Sequence, residues 1–145
     1  MINPYGIDRL NPCIISDRVE RRELIALAAA LPALSISSTA ATNAVMLAAG
    51  YFCHLRGYHD RSDALSIARS MKTTSGLFWP VPCLNLVRGI PKLNAGDRVA
   101  LRDPNIPGNP VLAVQRIEKV EKFTENELLE IAQAVFGSTD QTHPG

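Results

Sequence analysis

Cys53, His54 and His59 are the one cluster in the chain whose atoms could bind a metal or attack a substrate. A thiolate with two imidazoles is a partial zinc set, and a thiol beside an imidazole is the pair that nucleophilic catalysis needs. Neighbours at i and i+1 point in different directions on any regular element, and Asp60 is the one carboxylate beside them. Ligands at this spacing do not match the tetrahedral patterns of known zinc sites. A nucleophile would also need a ring nitrogen within about 3 Å of the sulfur and a group to orient the ring. The reading adopted is a loop that packs or caps, with metal binding and thiol chemistry at Cys53, His54 and His59 as the alternatives.

Two other residue groups invite a chemical role. Arg18, Arg21 and Arg22, and then Arg56, Arg61, Arg69 and Lys72, could gather an anion or nucleic acid. Glu20, Glu23, Asp60 and Asp63 are interleaved with them, which is the pattern of solvated helix faces with local ion pairs. Trp79 could stack on a ligand, but a lone Trp in an apolar run reads first as core. The chain has no GxxxxGK phosphate loop, no GxGxxG turn, no HExxH and no GxSxG elbow. Cys13, Cys53 and Cys83 are odd in number, widely spaced and outside any CxxC pattern, so they read as reduced, packed thiols. No cofactor is implied.

The elements that must position these residues fall into a helical first half and a strand-rich second half. Asp17 and Glu20 form a capping-box pattern before a helix whose apolar stripe is Leu24, Leu27, Ala28 and Leu31, and Pro32 ends it. Ser35 to Thr42 reads as a connection, Asn43 to Ala49 as a short helix ending at Gly50. A third helix starts at Asp60 or Ser62 and repeats Ala64, Leu65, Ala68 and Met71 at helical spacing. Leu77 to Val87, interrupted by Pro80 and Pro82, reads as an edge or irregular strand. After the turn Ala95-Gly96-Asp97, Val99 and Leu101 alternate with Arg98 and Arg102 as a half-buried strand. Asp103 to Pro110 is a loop, and Val111 to Val120 a strand with a bulge between Val114 and Ile117. Thr124 and Glu127 open a final helix with Leu128, Ile131, Ala132 and Val135 inward, ended by Gly137. The expectation is an α+β fold, with helices mainly in the amino-terminal half packed on a small, mostly antiparallel, barrel-like sheet.

Composition bounds the function. A chain of 145 residues with 46% apolar and 20% charged residues reads as one soluble domain, 1–145. A net charge of +1 is a poor footprint for a nucleic-acid binder. Met1 to Gly6 lacks the basic start and apolar stretch of a signal peptide, and the longest apolar run, Leu24 to Ile36, contains Pro32 and is too short to span a bilayer. The expected location is the cytoplasm, without a membrane partner.

Three stretches stand out for their order rather than for chemistry. Trp79-Pro80-Val81-Pro82 is followed by Gly96-Asp97-Arg98-Val99-Ala100-Leu101-Arg102-Asp103, and then by Gly137-Ser138-Thr139-Asp140-Gln141-Thr142-His143-Pro144-Gly145. In this order they resemble the amino-terminal, PUA-like domain of ATP sulfurylases, which reads WPIP, then G-D-x-V-x-L-x-D, then G-T-x-D-x-x-H-P-G. Ile2, Pro4, Gly6 and Leu10 match the family's opening, and Gly50, Phe52, Leu55 and Gly57 its G-A-F-S-P-L-x-G-F stretch. Cys53 and His54 depart from it, standing where the family has Ser-Pro, and His59 stands where it commonly has Met. Drift of an unrestrained loop is the reading adopted for these departures.

The resemblance implies a PUA-like pseudo-barrel. The family's reaction joins sulfate to ATP and releases pyrophosphate, and its Q-x-R-N and H-x-G-H segments lie in the catalytic domain that follows. Neither pattern occurs here, so the resemblance carries over no catalytic residue. What it implies is a non-catalytic domain of, or companion subunit to, an ATP sulfurylase in sulfur metabolism. The partner would be the catalytic domain or subunit, with self-association open, and Val135, Phe136 and Pro144 mark the region where a partner would dock. The alternatives are a stand-alone PUA-like module binding RNA or protein, and a small enzyme using Cys53, His54 and His59.

Overall fold

Polar caps and small apolar faces set the element boundaries in the computed structural model, which describes residues 3, 5–10, 12–89, 92–140 and 142–143. The elements run α1 (Arg18–Ala30), β1 (Ala33–Ser35), α2 (Ser38–Ala48), α3 (Arg61–Ser70), β2 (Arg98–Arg102), β3 (Val111–Arg116) and α4 (Glu125–Phe136). The architecture is α+β, with three of the four helices among the described residues lying before residue 71. The chain divides into two compact units, residues 1–58 with 85–120, and residues 59–84 with 121–145.

In the first unit the Asp17 carboxylate accepts the amides of Val19 (2.9 Å) and Glu20 (2.8 Å), which starts α1 where the capping pattern places it. Ala28 is the buried residue of the expected stripe, while Leu27 stays 40% exposed. α2 begins earlier than expected. Ser37 caps it, its hydroxyl accepting from the Ala40 amide at 3.1 Å, so most of the polar stretch read as a connection is helix. Ala40, Ala41 and Ala44 then face a cluster with Ile36, Val99, Leu101 and Ile117. Three alanines let the α2 backbone approach the sheet closely, and burial outweighs the weak local helix signal of Ser-Ser-Thr.

The sheet has the order β1-β2-β3 among the described residues. β1 was not anticipated; it lies parallel to β2, with Ala33 opposite Ala100 and Ser35 opposite Arg102. β2 and β3 are antiparallel, so one pairing of the expected mostly antiparallel sheet is parallel. Val99, Ala100 and Leu101 are all buried. β2 is therefore covered on both faces rather than half-buried, because successive side chains alternate across the strand. The bulge also sits elsewhere than expected. Leu101 pairs with Ala113 and Arg102 with Val111, which makes Leu112 the extra residue. The apolar phase change before Ile117 is the end of β3: past Arg116 the chain turns, the Ile117 amide donates to the Asp97 carbonyl (2.8 Å), and the Gly96 amide donates to the Ile117 carbonyl (2.8 Å).

In the second unit α3 and α4 pack on one another. Asp60 caps α3 by accepting the Asp63 amide, as its position predicts. Ala64 and Ile67 are its buried residues. Met71, expected on the inner face, is instead 55% exposed and ends the helix in the left-handed region at φ 53°. Ile131 is the buried residue of α4, and Gly137 ends that helix at φ 68°. The apolar run from Leu77 does not form a ladder strand. Among the described residues it makes one antiparallel bridge, Phe78 to Lys72, and Pro80 and Pro82 supply no amide to extend it.

Candidate functional site

The division of the chain puts Cys53 and His54 in the first unit and His59 in the second. Among the described residues, no group of three His, Cys, Asp or Glu side chains is arranged to hold a metal ion. The His54 ring instead meets the Tyr5 ring, and His59 Nδ1 accepts a backbone amide.

Cys53 and His54 follow α2 and hold the amino-terminal segment. The Cys53 thiol donates to the Tyr5 carbonyl at 2.8 Å. The His54 ring meets Tyr5 edge-on at 5.8 Å. Gly6 has φ +74°, and a Cβ there would fall 3.2 Å from His54 Cβ, so only glycine sits in this contact without strain. Burial pushes the His54 imidazole below its ordinary pKa. Further along, the Cys13 amide donates to the Ala48 carbonyl at 2.7 Å. The loop thus contacts the amino-terminal segment through Cys53 and His54. Tyr5 and Gly6 were missed as its counterparts because nothing in a sequence links positions forty-eight apart. Ile2 and Pro4, which share the family's opening, lie outside the described residues.

His59 is buried, and its Nδ1 accepts the Cys83 amide at 2.9 Å. Trp79 packs edge-on against the ring at 5.7 Å and remains only partly buried. Burial pushes the Cys83 thiol up to about 12, so it stays protonated.

Two of the basic residues of the second unit are held in ion pairs. The Arg61 Nε donates to Glu127 Oε2 at 3.1 Å and its NH2 group to Glu127 Oε1. Arg69 forks onto Glu130 at 2.6 and 3.0 Å. Both guanidiniums border an open groove of about 560 Å³ on α3, lined also by Ser62, Leu65, Ser66, Ser70 and Thr74. Arg18, Arg21, Arg22, Arg56 and Lys72 are exposed. Glu127 and Glu130 were not singled out as partners, although Glu127 was legible as the third residue of a capping box.

Two aspartates of the motifs make local hydrogen bonds. Asp97 orders its turn by accepting the Asn94 amide at 2.8 Å. Asp140 accepts the Thr142 amide and hydroxyl, each at 2.9 Å, which holds its carboxyl below the usual range. Phe136 is 44% exposed and lies 5.2 Å from the His143 ring. Gln141, Pro144 and Gly145 lie outside the described residues. No helix among the described residues is long and apolar enough to cross a membrane.

Known proteins repeat this chain throughout its length. A sulfate adenylyltransferase of Alcanivorax borkumensis is 46% identical over 145 residues, covering 100% of this chain and 36% of that protein. Another from Allochromatium vinosum is 44% identical with the same coverage. The chain therefore spans about a third of the length of the curated relatives it matches. A solved structure, the hexameric APS kinase from Thiobacillus denitrificans, superposes with a TM-score of 0.65 at 29% identity, over 86% of this chain and 24% of that one. A model of the PUA-like domain matches residues 2–145, and the chain belongs to that family, in the form that occurs at the amino terminus of ATP sulfurylase.

Proposed function

We propose that the chain is a single non-catalytic PUA-like domain of, or companion subunit to, an ATP sulfurylase that makes adenylyl sulfate and pyrophosphate from ATP and sulfate. The observation that carries this is the 46% identity over all 145 residues to a sulfate adenylyltransferase of which they form 36%. The electrostatics supports it. Gathering ATP and sulfate requires cationic and hydrogen-bonding groups converging on many anionic oxygens. Here Arg61 and Arg69 are each neutralised by a glutamate, and the remaining cations named above stand exposed.

Under this reading the partner is the catalytic part of the enzyme, in the cytoplasm, and the domain's role is structural. The exposed Phe136 beside His143 is the expected docking region. Self-association is compatible with the hexameric state named for the similar APS kinase. A net charge of +1 weighs against RNA as the partner, since phosphate contacts dominate such binding.

The test is a pyrophosphate-release assay on the purified 145-residue chain with ATP and sulfate. Release at background level is expected. Sulfate-dependent release above background would overturn the non-catalytic assignment.

A further inference from the structure

Leu24 to Ala30, the second half of α1, carries no polar side chain, yet Ala28 is the one buried residue of the whole helix. A helix that is apolar on all sides is normally covered on all sides. Here Val19 and Ile25 stand 62% and 58% exposed, and Ala26, Ala29 and Ala30 are exposed beside them. At about 100° per residue, Val19 and Ala26 lie opposite Ala28, on the side of α1 turned away from β2 and β3, against which it packs.

The charges on that side are sorted by sign. Arg22 sits about 50° to one side of the line through Val19 and Ala26, with Arg18 beyond it. Glu23 sits about 50° to the other side, with Glu20 beyond it. Each edge therefore repeats one sign a turn apart, which is unfavourable within a single helix. Among the described residues the ion pairs join α3 to α4, and none joins two residues of α1. The face has an apolar centre, a basic edge and an acidic edge.

We propose that this face of α1 binds the same face of a second copy of the chain, with the two helices parallel. The direction follows from the charges. A two-fold axis along the helices brings the basic edge of one copy to the acidic edge of the other, so Arg22 of each copy meets Glu23 of the other. The antiparallel arrangement sets Arg22 against Arg22 and Glu23 against Glu23, and like charges face to face repel. A foreign protein would have to present an acid, an apolar strip and a base in matching order, whereas a second copy presents them by symmetry. In the parallel pair Val19 meets Val19 and Ala26 meets Ala26, as layers do in a parallel coiled coil, and alanine lets the axes approach to the near end of about 8–10 Å. Thirteen residues make a helix of about 20 Å, so the contact is smaller than a standard interface of about 1,600 Å² and the dimer is weak and concentration-dependent.

Sedimentation velocity on the 145-residue chain, from low micromolar to about 1 mM and at low salt, reads this association. A dimer that dissociates on dilution is expected. Arg22→Glu and Glu23→Arg should each weaken it by about tenfold or more, since each sets two like-charge contacts across the axis. The double change, Arg22→Glu with Glu23→Arg, restores both pairs and should return the affinity to within about threefold of the wild type. A chain that stays monomeric to about 1 mM overturns the pairing, as do single reversals without effect or a double variant no tighter than the singles. Helix direction is read by oxidative cross-linking in a Cys13→Ser background. Val19→Cys and Ala26→Cys, both at exposed positions, should each link into a dimer. An antiparallel pair can set only one of these positions against itself, so a link at one alone, or at neither, overturns the parallel pair.

Discussion

The carboxylate of Glu127 closes the capping box of α4 and receives the guanidinium of Arg61 from α3. Its Oε2 accepts the Thr124 amide (2.9 Å) and hydroxyl (3.0 Å) together with Arg61 Nε (3.1 Å). Arg61 in turn gives its own amide to Glu121 at 2.9 Å, so the starts of both helices are tied into one set of charge-assisted bonds. The bonds from Arg61, then from Thr124, lower the Glu127 carboxyl from 4.5 to about 2.

This sets an acid limit on the second unit. A carboxyl whose folded pKa lies below its unfolded value stabilises the fold above the unfolded value. Here that stabilisation is complete above about pH 4.5 and is lost as the pH falls from there towards about 2. Urea unfolding midpoints measured between pH 6 and 2.5 should decline over this window. In Glu127→Gln the decline should be shallower, and the midpoint at pH 6 lower. Equal slopes in the two proteins would mean that another carboxyl carries the acid response.

The Thr124 cap can be tested apart from the ion pair. Thr124→Ala removes the hydroxyl that accepts the Glu127 amide and leaves Arg61 in place. A lost N-cap of this kind costs about 1 kcal/mol. The expected result is a reduced urea midpoint with an unchanged m-value, since the buried surface is the same.

These ties separate what the sequence reveals from what it hides. Asp17, Asp60, Thr124 and Gly137 mark helix ends through bonds that span a few residues, so their pattern was readable. The strand at Val99 and Leu101 was readable from its alternation. β1 and the early start of α2 were not, because β1 is three residues long and exists only by pairing with β2, and α2 depends on burying alanines that carry no strong signal of their own. At the candidate sites, residue types were legible and partners were not. Cys53 and His54 stood out, but Tyr5 and Gly6, which they hold, are brought to them by the fold. His59 drew notice as a possible ligand, whereas Cys83, whose amide makes it an acceptor, lies twenty-four residues away.

The hold on the amino-terminal segment should be sensitive to Gly6. Gly6→Ala places a Cβ 3.2 Å from His54 and demands φ +74° of an L-residue. The left-handed conformation alone costs about 1–2 kcal/mol. Loss of the segment's docking should appear as faster hydrogen exchange at the Cys13 amide, which donates to Ala48, by about tenfold or more. Exchange at Ile131 in α4 should not change, and a uniform rise at both sites would indicate global destabilisation instead.

The three thiols should separate by reactivity in the native protein. Cys13 is exposed, Cys53 is half-buried with its thiol donating to the Tyr5 carbonyl, and Cys83 is buried. The thiolate is the reactive form, and with its pKa near 12 Cys83 would be ionised in about one molecule in ten thousand at pH 8. Titration with a chromogenic disulfide should therefore show a fast phase from Cys13 and a slower one from Cys53. Cys83 should react only after denaturant is added. Gly6→Ala should speed the Cys53 phase, because the released segment uncovers the thiol that donates to the Tyr5 carbonyl. Labelling of Cys83 in the native chain at a rate comparable to Cys53 would mean that its surroundings open far more often than its burial implies.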